Sequence, residues 1–387
     1  MTSGERRASG ALAAIYALRM LGLFIILPVF ALEARHYPGG DDPALIGLAM
    51  GIYGLTQAFL QVPLGMASDR FGRKPVILAG LAVFALGSAL AVWAPSVQWL
   101  LAARALQGAG AISAAVTALL ADLTRDSVRT KAMALVGVSI ALMFALSLVA
   151  APALVPHVGL SGLFGITTAL ALAGMAVVAW VVPTPPTPTD ASRASLREVL
   201  TQPDLMRVNV GVFVLHAVQI MMWLSVPALL VQAGLSAERH WQVYLPAVFV
   251  SMLIMGGLLF RLERRGHFRL VYLGAIGLLV LVQLGFLLAM QTPTLAVVAP
   301  LLCLFFLGFN TQEASQPSLA SRLASPRQRG TALGVYNTLM SLGIFCGGAL
   351  GGVVVKAWGG SGIFLASSAL LLLWLAAAWG MRGSARP

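Results

Sequence analysis

The chain has 387 residues, 59% of them hydrophobic and only 10% charged, whereas soluble domains carry about 25% charged residues. Apolar runs of roughly 20 residues recur along the whole length, each long enough to cross about 30 Å of hydrocarbon, and the alternation that a membrane β-barrel requires is missing. The composition therefore excludes a soluble globular domain and predicts an all-α polytopic membrane protein. The net charge of +12 invites a nucleic-acid partner, but its distribution argues for a bilayer. Of 25 Lys and Arg, 20 fall in alternate loops and tails, from Arg6 and Arg7 to Arg382 and Arg386. Arg35, Arg239 and Lys356 fall in the opposite loops, and Arg19 and Arg104 lie inside helices. This asymmetry predicts that both termini are cytoplasmic.

Twelve spans are predicted, at about 8–32, 44–67, 75–94, 97–121, 132–156, 160–182, 206–230, 241–260, 269–290, 293–315, 331–355 and 361–381. Arg6-Arg7 before an apolar run mimics an export signal, yet the run to Leu32 is too long for one. The second span ends in Gly65-Met-Ala-Ser-Asp69-Arg70-Phe-Gly72-Arg73-Lys74. Its polar cluster cannot lie in hydrocarbon and caps the membrane on one side. Asp69 and Arg73, four residues apart, can pair along one helical face. Asp69 is also expected to favour the dipole of the following helix, Gly65 to let a neighbouring helix approach, and Gly72 to permit a tight turn. Asp122, at the end of the fourth span, could accept from Arg70 or Arg73. The ten-residue pattern resembles the loop between the second and third helices of the major facilitator superfamily. That resemblance implies a transporter of two six-helix halves, and a loop that latches them on the cytoplasmic side.

In the fourth span, Arg104, Gln107 and Gly108 share one helical face. The string resembles a second superfamily pattern, often tied to proton coupling. A buried arginine is costly unless paired or hydrated, so Arg104 is expected to face a water-filled cavity. Gly137, Ala141 and Ala145 of the fifth span make a small-residue stripe suited to close packing. Ala151-Pro152 follows where related antiporters carry a glycine-rich Gly-Pro pattern, a departure from the antiporter type.

Pro183-Thr-Pro-Pro-Thr-Pro-Thr-Asp190 breaks the chain, and Ser195-Leu-Arg-Glu198 reads as a capping box opening a short amphipathic helix. The predicted organisation is an N-terminal bundle at 1–182, a cytoplasmic linker at 183–205 and a C-terminal bundle at 206–387. Asp69-Arg70-Phe-Gly72 has a weak counterpart in Glu263-Arg264-Arg-Gly266, with Leu259 in place of Gly65 and the Arg-Lys pair lost. Parallel halves of this kind are one arrangement of transporters. Gly343, Gly347, Gly348, Gly351 and Gly352 of the eleventh span predict a close helix interface.

Four ionisable residues lie clearly within spans: Arg19, Arg104, His216 and Glu313. Burial penalises the charged form of an acid and of a histidine, which suits a proton carrier. Glu313 and His216 are therefore candidates for proton coupling, with Arg104 and Arg19 beside them. The first half holds two buried arginines and no acid deep in a span, so its wall should be positive and an anionic or zwitterionic amphiphile is a candidate substrate. Tyr16, Phe24, Gln107, Gln219, Trp223, Asn310, Tyr336 and Asn337 are candidates for aromatic and polar cavity lining.

Further strings sharpen the resemblance. Arg19-Met-Leu-Gly22, Gly51-Ile-Tyr-Gly54-Leu-Thr-Gln57, Ala105-Leu-Gln-Gly108, Asp122-Leu-Thr-Arg125, His240-Trp241-x-Val243-Tyr244 and Asn310-x-x-Glu313-Ala are similar to the YajR-like drug:H⁺ antiporter group of bacterial inner membranes. The match is to that group without the soluble C-terminal domain some of its members carry. It implies twelve helices and a drug:H⁺ antiporter-like mechanism but supplies no substrate; export of a small amphipathic molecule, driven by protons and with no other cofactor, is the expected function. A proton-independent facilitator or a sugar or metabolite exporter is the alternative of the same fold. No phosphate-binding Gly-x-x-x-x-Gly-Lys loop marks an ATP-driven pump. Neither the scattered histidines nor Cys303 and Cys346, both in predicted helices, form a nucleophile pair, disulfide framework or metal cluster for an enzyme. A monomer is expected.

Overall fold

A backbone surrounded by lipid must satisfy its own N–H and C=O groups, and a helix does so within one segment. The computed structural model describes residues 3–183, 196–325 and 328–381, and all regular structure among them is helical. The proline-rich stretch from 184 to 190 and Ser195 of the predicted capping box lie outside the described residues.

The chain clusters into two units. Unit 1 comprises 1–41 with 52–191, and unit 2 comprises 42–51 with 192–387. Unit 1 holds α1 (Ser3–Phe24), α2 (Leu27–Glu33), α3 (Pro43–Phe71) from residue 52 onward, α4 (Arg73–Val92), α5 (Val97–Ala109), α6 (Ser113–Asp122) and α7 (Asp126–Trp180). Unit 2 takes the first turns of α3, then α8 (Leu196–Leu200), α9 (Pro203–Gln232), α10 (Trp241–Ile254), α11 (Phe260–Leu262), α12 (Phe268–Ala289), α13 (Leu295–Leu323) and α14 (Arg329–Trp379). Short π-helical turns at Met255–Leu259 and Glu263–His267 flank α11.

Two helices are too long for one crossing. A straight helix of 55 residues, the length of α7, would measure about 80 Å, more than twice the hydrocarbon thickness. Gly159 (φ 65°, ψ −177°) interrupts α7, and Gly359 (φ 65°, ψ −163°) interrupts α14. Nine helical stretches among the described residues are long and apolar enough to cross a membrane. With the two long ones divided at these glycines and the run from Trp241 added, they match the twelve predicted spans.

The backbone carries a record of duplication. Every residue with positive φ among those described is a glycine: Gly39, Gly72, Gly159, Gly234, Gly266 and Gly359. They form three pairs, Gly39 with Gly234, Gly72 with Gly266 and Gly159 with Gly359, spaced 195, 194 and 200 positions apart. Members of a pair agree closely, at 86° and 90°, 95° and 87°, and 65° and 65°. The weak motif repeat around Gly72 and Gly266 is thus one of three repeated turns.

Packing follows the solvent. Phe59, Trp93, Leu142, Trp180, Leu281 and Leu373 are exposed, as lipid-facing side chains should be. Six of the eight tryptophans, Trp93, Trp99, Trp180, Trp241, Trp358 and Trp379, sit exposed at helix ends or beside the glycine breaks, the interfacial position that suits an amphipathic ring. In unit 2, α9 forms the interior: 89% of its most apolar window is buried, against 33% in the 135–180 stretch of unit 1. The α14 glycines explain part of this. A Cβ on Gly343 or Gly347 would overlap the carbonyl oxygens of Phe213 and Ala217 in α9. One on Gly348 or Gly352 would overlap those of Gly47 and Pro43 in the first turns of α3. The fifth-span stripe begins differently: among the described residues nothing lies within 4 Å of a Cβ on Gly137.

Candidate functional site

Unit 1 buries two guanidinium groups in a polar string. Arg19 of α1 donates from Nη2 to Tyr53 Oη of α3 at 2.8 Å and from Nη1 to Ser113 Oγ of α6 at 3.3 Å. Tyr16, one turn earlier, donates to the Ser113 carbonyl at 2.8 Å and shares a hydrogen bond with Thr117 Oγ1 at 2.9 Å. Arg104 of α5 lies over the Tyr53 ring, 5.0 Å from its centroid, and donates to Gln107 Oε1 at 3.0 Å. Gln107 in turn donates to Ser88 Oγ of α4 at 2.7 Å. Arg19 and Arg104 are each only 1% exposed. The structure therefore corrects one expectation: Arg104 does not face a water-filled cavity here. It is buried, and its neighbours include the Gln107 amide and the Tyr53 ring, whose face attracts a cation through the ring quadrupole. Gly108 makes this approach possible, because a Cβ there would overlap the Tyr53 carbonyl oxygen and Thr56 Oγ1.

Unit 2 brings together the two residues proposed separately for proton coupling. His216 of α9 places Nε2 3.5 Å from Glu313 Oε2 of α13. His216 Nδ1 lies 3.0 Å from the Val212 carbonyl oxygen, an acceptor, so Nδ1 carries a hydrogen and, in the neutral ring, the Nε2 lone pair faces the carboxyl group. The imidazole is buried and packs edge-on to Phe309 at 6.0 Å, while the Glu313 side chain is 43% exposed. Glu313 Oε2 has no hydrogen-bond partner among the described residues. Tyr336, buried on α14, lies within coulombic reach of Glu313.

The loop between α3 and α4 is an ion-pair cluster inside unit 1. Arg73 pairs with Asp69 and donates from Nε to Asp122 Oδ2 at 3.0 Å and from Nη1 to Ser68 Oγ at 2.8 Å. Asp122 thus takes Arg73, while Arg70 stacks on the Phe71 ring at 5.4 Å. Asp69 lies in the last turn of α3, and α4 begins at Arg73. Its carboxylate pairs with Arg73, the first residue of α4. Gly72 (φ 95°) makes the turn. Lys74 donates to the Val182 carbonyl at 2.8 Å, a cation at a helix C-terminus. Gly65 is less crowded than its motif suggests, since a Cβ there would meet Ala114 Cβ at 3.4 Å.

The remaining candidates scatter. Phe24 meets Phe144 edge-on at 5.2 Å. Asn310 donates to Ser251 Oγ at 3.0 Å, and Trp223 packs edge-on to Tyr244 at 5.5 Å. Gln219 is buried, and Asn337 is half-buried on α14. The sequence reading missed Tyr53, Ser88, Ser113 and Thr117 as partners. It also missed Glu5, which is buried and takes Arg125 through both carboxylate oxygens, at 2.7 and 3.2 Å. One signal was available: Tyr53, Gln57 and Gln61 recur every four residues on α3, a polar stripe on one face, and all three are buried.

Comparison with known proteins identifies the family. The family model described as Major Facilitator Superfamily matches residues 12–345. The chain is 41% identical over 387 residues to the inner membrane transport protein YajR of Escherichia coli K12, covering 99% of this chain and 85% of that one. It is 28% identical to the multidrug resistance protein MdtH of Aeromonas hydrophila, over 87% of this chain and 85% of that one. The fold is similar to that of a bacterial homologue of the human lysosomal transporter Spinster, with a TM-score of 0.76 and 16% identity, covering 98% and 97% of the two chains. The chain is a membrane transporter and belongs to the major facilitator superfamily.

Proposed function

We propose that the protein is a proton-coupled secondary transporter of a bacterial inner membrane, exporting a small amphipathic molecule by alternating access. The observation that carries this reading is the His216–Glu313 pair, a base and an acid facing each other across 3.5 Å inside membrane-spanning helices. With Nδ1 committed to the Val212 carbonyl, neither Nε2 nor an ionised Glu313 has a hydrogen to share. A proton arriving at the half-exposed carboxyl group is held between Oε2 and Nε2. Its loss leaves a carboxylate beside a buried neutral ring, a state of different charge. The two states therefore bias the halves differently as they rock. The names of the relatives support transport, a link to drug resistance and an inner-membrane location, and the charge bias supports cytoplasmic termini. The working unit is a monomer of two bundles, 1–182 and 206–387, joined by 183–205, with the loop at Asp69 to Lys74 as the cytoplasmic latch and the proton as the coupling ion.

The test is proton flux in liposomes reconstituted with the full chain under a preset pH gradient. Cationic, zwitterionic and anionic compounds are added in turn. Compound-dependent dissipation of the gradient is expected, reduced at least tenfold by Glu313→Gln and impaired by His216→Ala. Full proton-driven transport in both variants would remove the assignment. Solute movement without proton movement would make the protein a facilitator.

A further inference from the structure

We propose that the buried arginine cluster of unit 1 is the recognition site for a carboxylate on the transported molecule, with Arg19 as the principal ligand and Tyr53 and Arg104 shaping the site. This rests on the transporter reading above and adds the charge class of the substrate.

A guanidinium keeps its charge under all ordinary conditions, and placing one at the centre of a membrane helix costs roughly 2.5–3.5 kcal/mol on insertion scales. Acidic partners usually offset that cost. The acidic residues of positions 1–182 are Glu5, Glu33, Asp41, Asp42, Asp69, Asp122 and Asp126, all at span ends or in loops. Among them, Asp69 and Asp122 are engaged by Arg73, and Glu5 by Arg125. Among the described residues, the acceptors around Arg19 are neutral hydroxyls, Tyr53 Oη and Ser113 Oγ, and its Nε has no hydrogen-bond partner. Nε and Nη2 lie on one edge of the guanidinium, the edge that grips a carboxylate through two parallel hydrogen bonds. In this structure the phenol oxygen of Tyr53 accepts from Nη2, and Nε is buried with no hydrogen-bond acceptor among the described residues. The Arg104 guanidinium on the face of the same ring adds positive potential, and Tyr16, Ser113 and Thr117 continue the polar wall. A carboxylate entering the opened unit would take both Nε and Nη2 and displace the Tyr53 hydroxyl. A cation would meet two guanidinium groups.

The test uses the full-length protein in lipid-free neutral detergent, so that anionic lipid headgroups cannot be the source of the anion. Thermal unfolding is followed at neutral pH with matched series of probes: benzoate, 2-naphthoate and octanoate, each beside its amide and its amine. Binding raises the unfolding midpoint in proportion to occupancy. The carboxylate members are expected to stabilise the protein and the amides and amines not. Arg19→Gln should raise the apparent Kd of the best carboxylate at least tenfold, and Arg19→Lys, which keeps the charge but loses the fork, should lie between. Should Arg19→Gln fail to fold, Arg19→Lys and Tyr53→Phe provide the comparison, with weakening in the first and equal or tighter binding in the second. Stabilisation by amides equal to that by acids, a preference for amines, no response to any carboxylate, or unchanged affinity in Arg19→Lys would each overturn the proposal. Glu313→Gln separates the two readings: carboxylate binding should persist there while proton movement is lost. Proton coupling that survives Glu313→Gln would count against the coupling assignment alone.

Discussion

The two units handle charge inside the membrane in opposite ways. Unit 1 holds permanent cations, Arg19 and Arg104, each 1% exposed, with hydroxyl, amide and aromatic groups among their neighbours. Unit 2 holds a pair that can gain or lose a proton, with the acid 43% exposed and the base buried against it. The difference teaches a division of labour. A guanidinium cannot titrate, so of the four ionisable residues within the spans, Arg19 and Arg104 of unit 1 contribute a fixed field, and the acid and base of the pair lie in unit 2.

That contrast can be sharpened first where the largest effect is expected. His240, outside the membrane spans, is 1% exposed, and burial pushes its imidazole down to about 4. Its Nε2 lies 3.3 Å from the Leu235 carbonyl oxygen and its ring packs on Tyr244. The unfolded value is near 6.5, so between these limits the unfolded chain binds more protons and stability rises with pH. The contribution is complete above about pH 6.5 and is lost as pH falls toward 4, on the order of 3 kcal/mol in all. A pH series of thermal unfolding should show the midpoint dropping across this window, and His240→Gln should flatten the drop. An unchanged slope in the variant would locate the pH response elsewhere.

The second break is aimed at unit 1. Gly108→Ala forces a methyl group into the Tyr53 carbonyl and should cost about 1–3 kcal/mol, as overpacked cores do, measured as a lower unfolding midpoint. The smallest effect is expected at Gly65→Ala, where the new methyl meets Ala114 at 3.4 Å; a change within about 0.5 kcal/mol is expected. Equal losses at both sites would mean that the tightness of the Tyr53–Arg104 contact has been overread.

Much of the repeat was legible at a single point. The pair Asp69-Arg70-Phe-Gly72 and Glu263-Arg264-Arg-Gly266 is visible in the residues, and Gly72 and Gly266 adopt matching positive φ. The other two pairs, Gly39 with Gly234 and Gly159 with Gly359, were not distinguishable among 40 glycines. Only the backbone conformation separates a glycine that turns the chain from one that merely makes room, as Gly347 does against Ala217.

The sequence by itself determined the class of molecule, the position of the spans, the polar loop after α3 and the four ionisable residues within helices. These depend on local properties: the length of an apolar run, the cost of charge in hydrocarbon and the chemistry of turns. Tertiary structure decided which of those residues meet. It joined His216 to Glu313 across 97 positions, gave Asp122 to Arg73 rather than Arg70, placed Tyr53 between two arginines and sent Asn310 and Trp223 to other partners. The physical reason is that a helix in lipid is apolar on its outer face as well as its inner one. The periodicity that marks a buried stripe in water is therefore weak, and the rotation of each helix is set by packing against its neighbours.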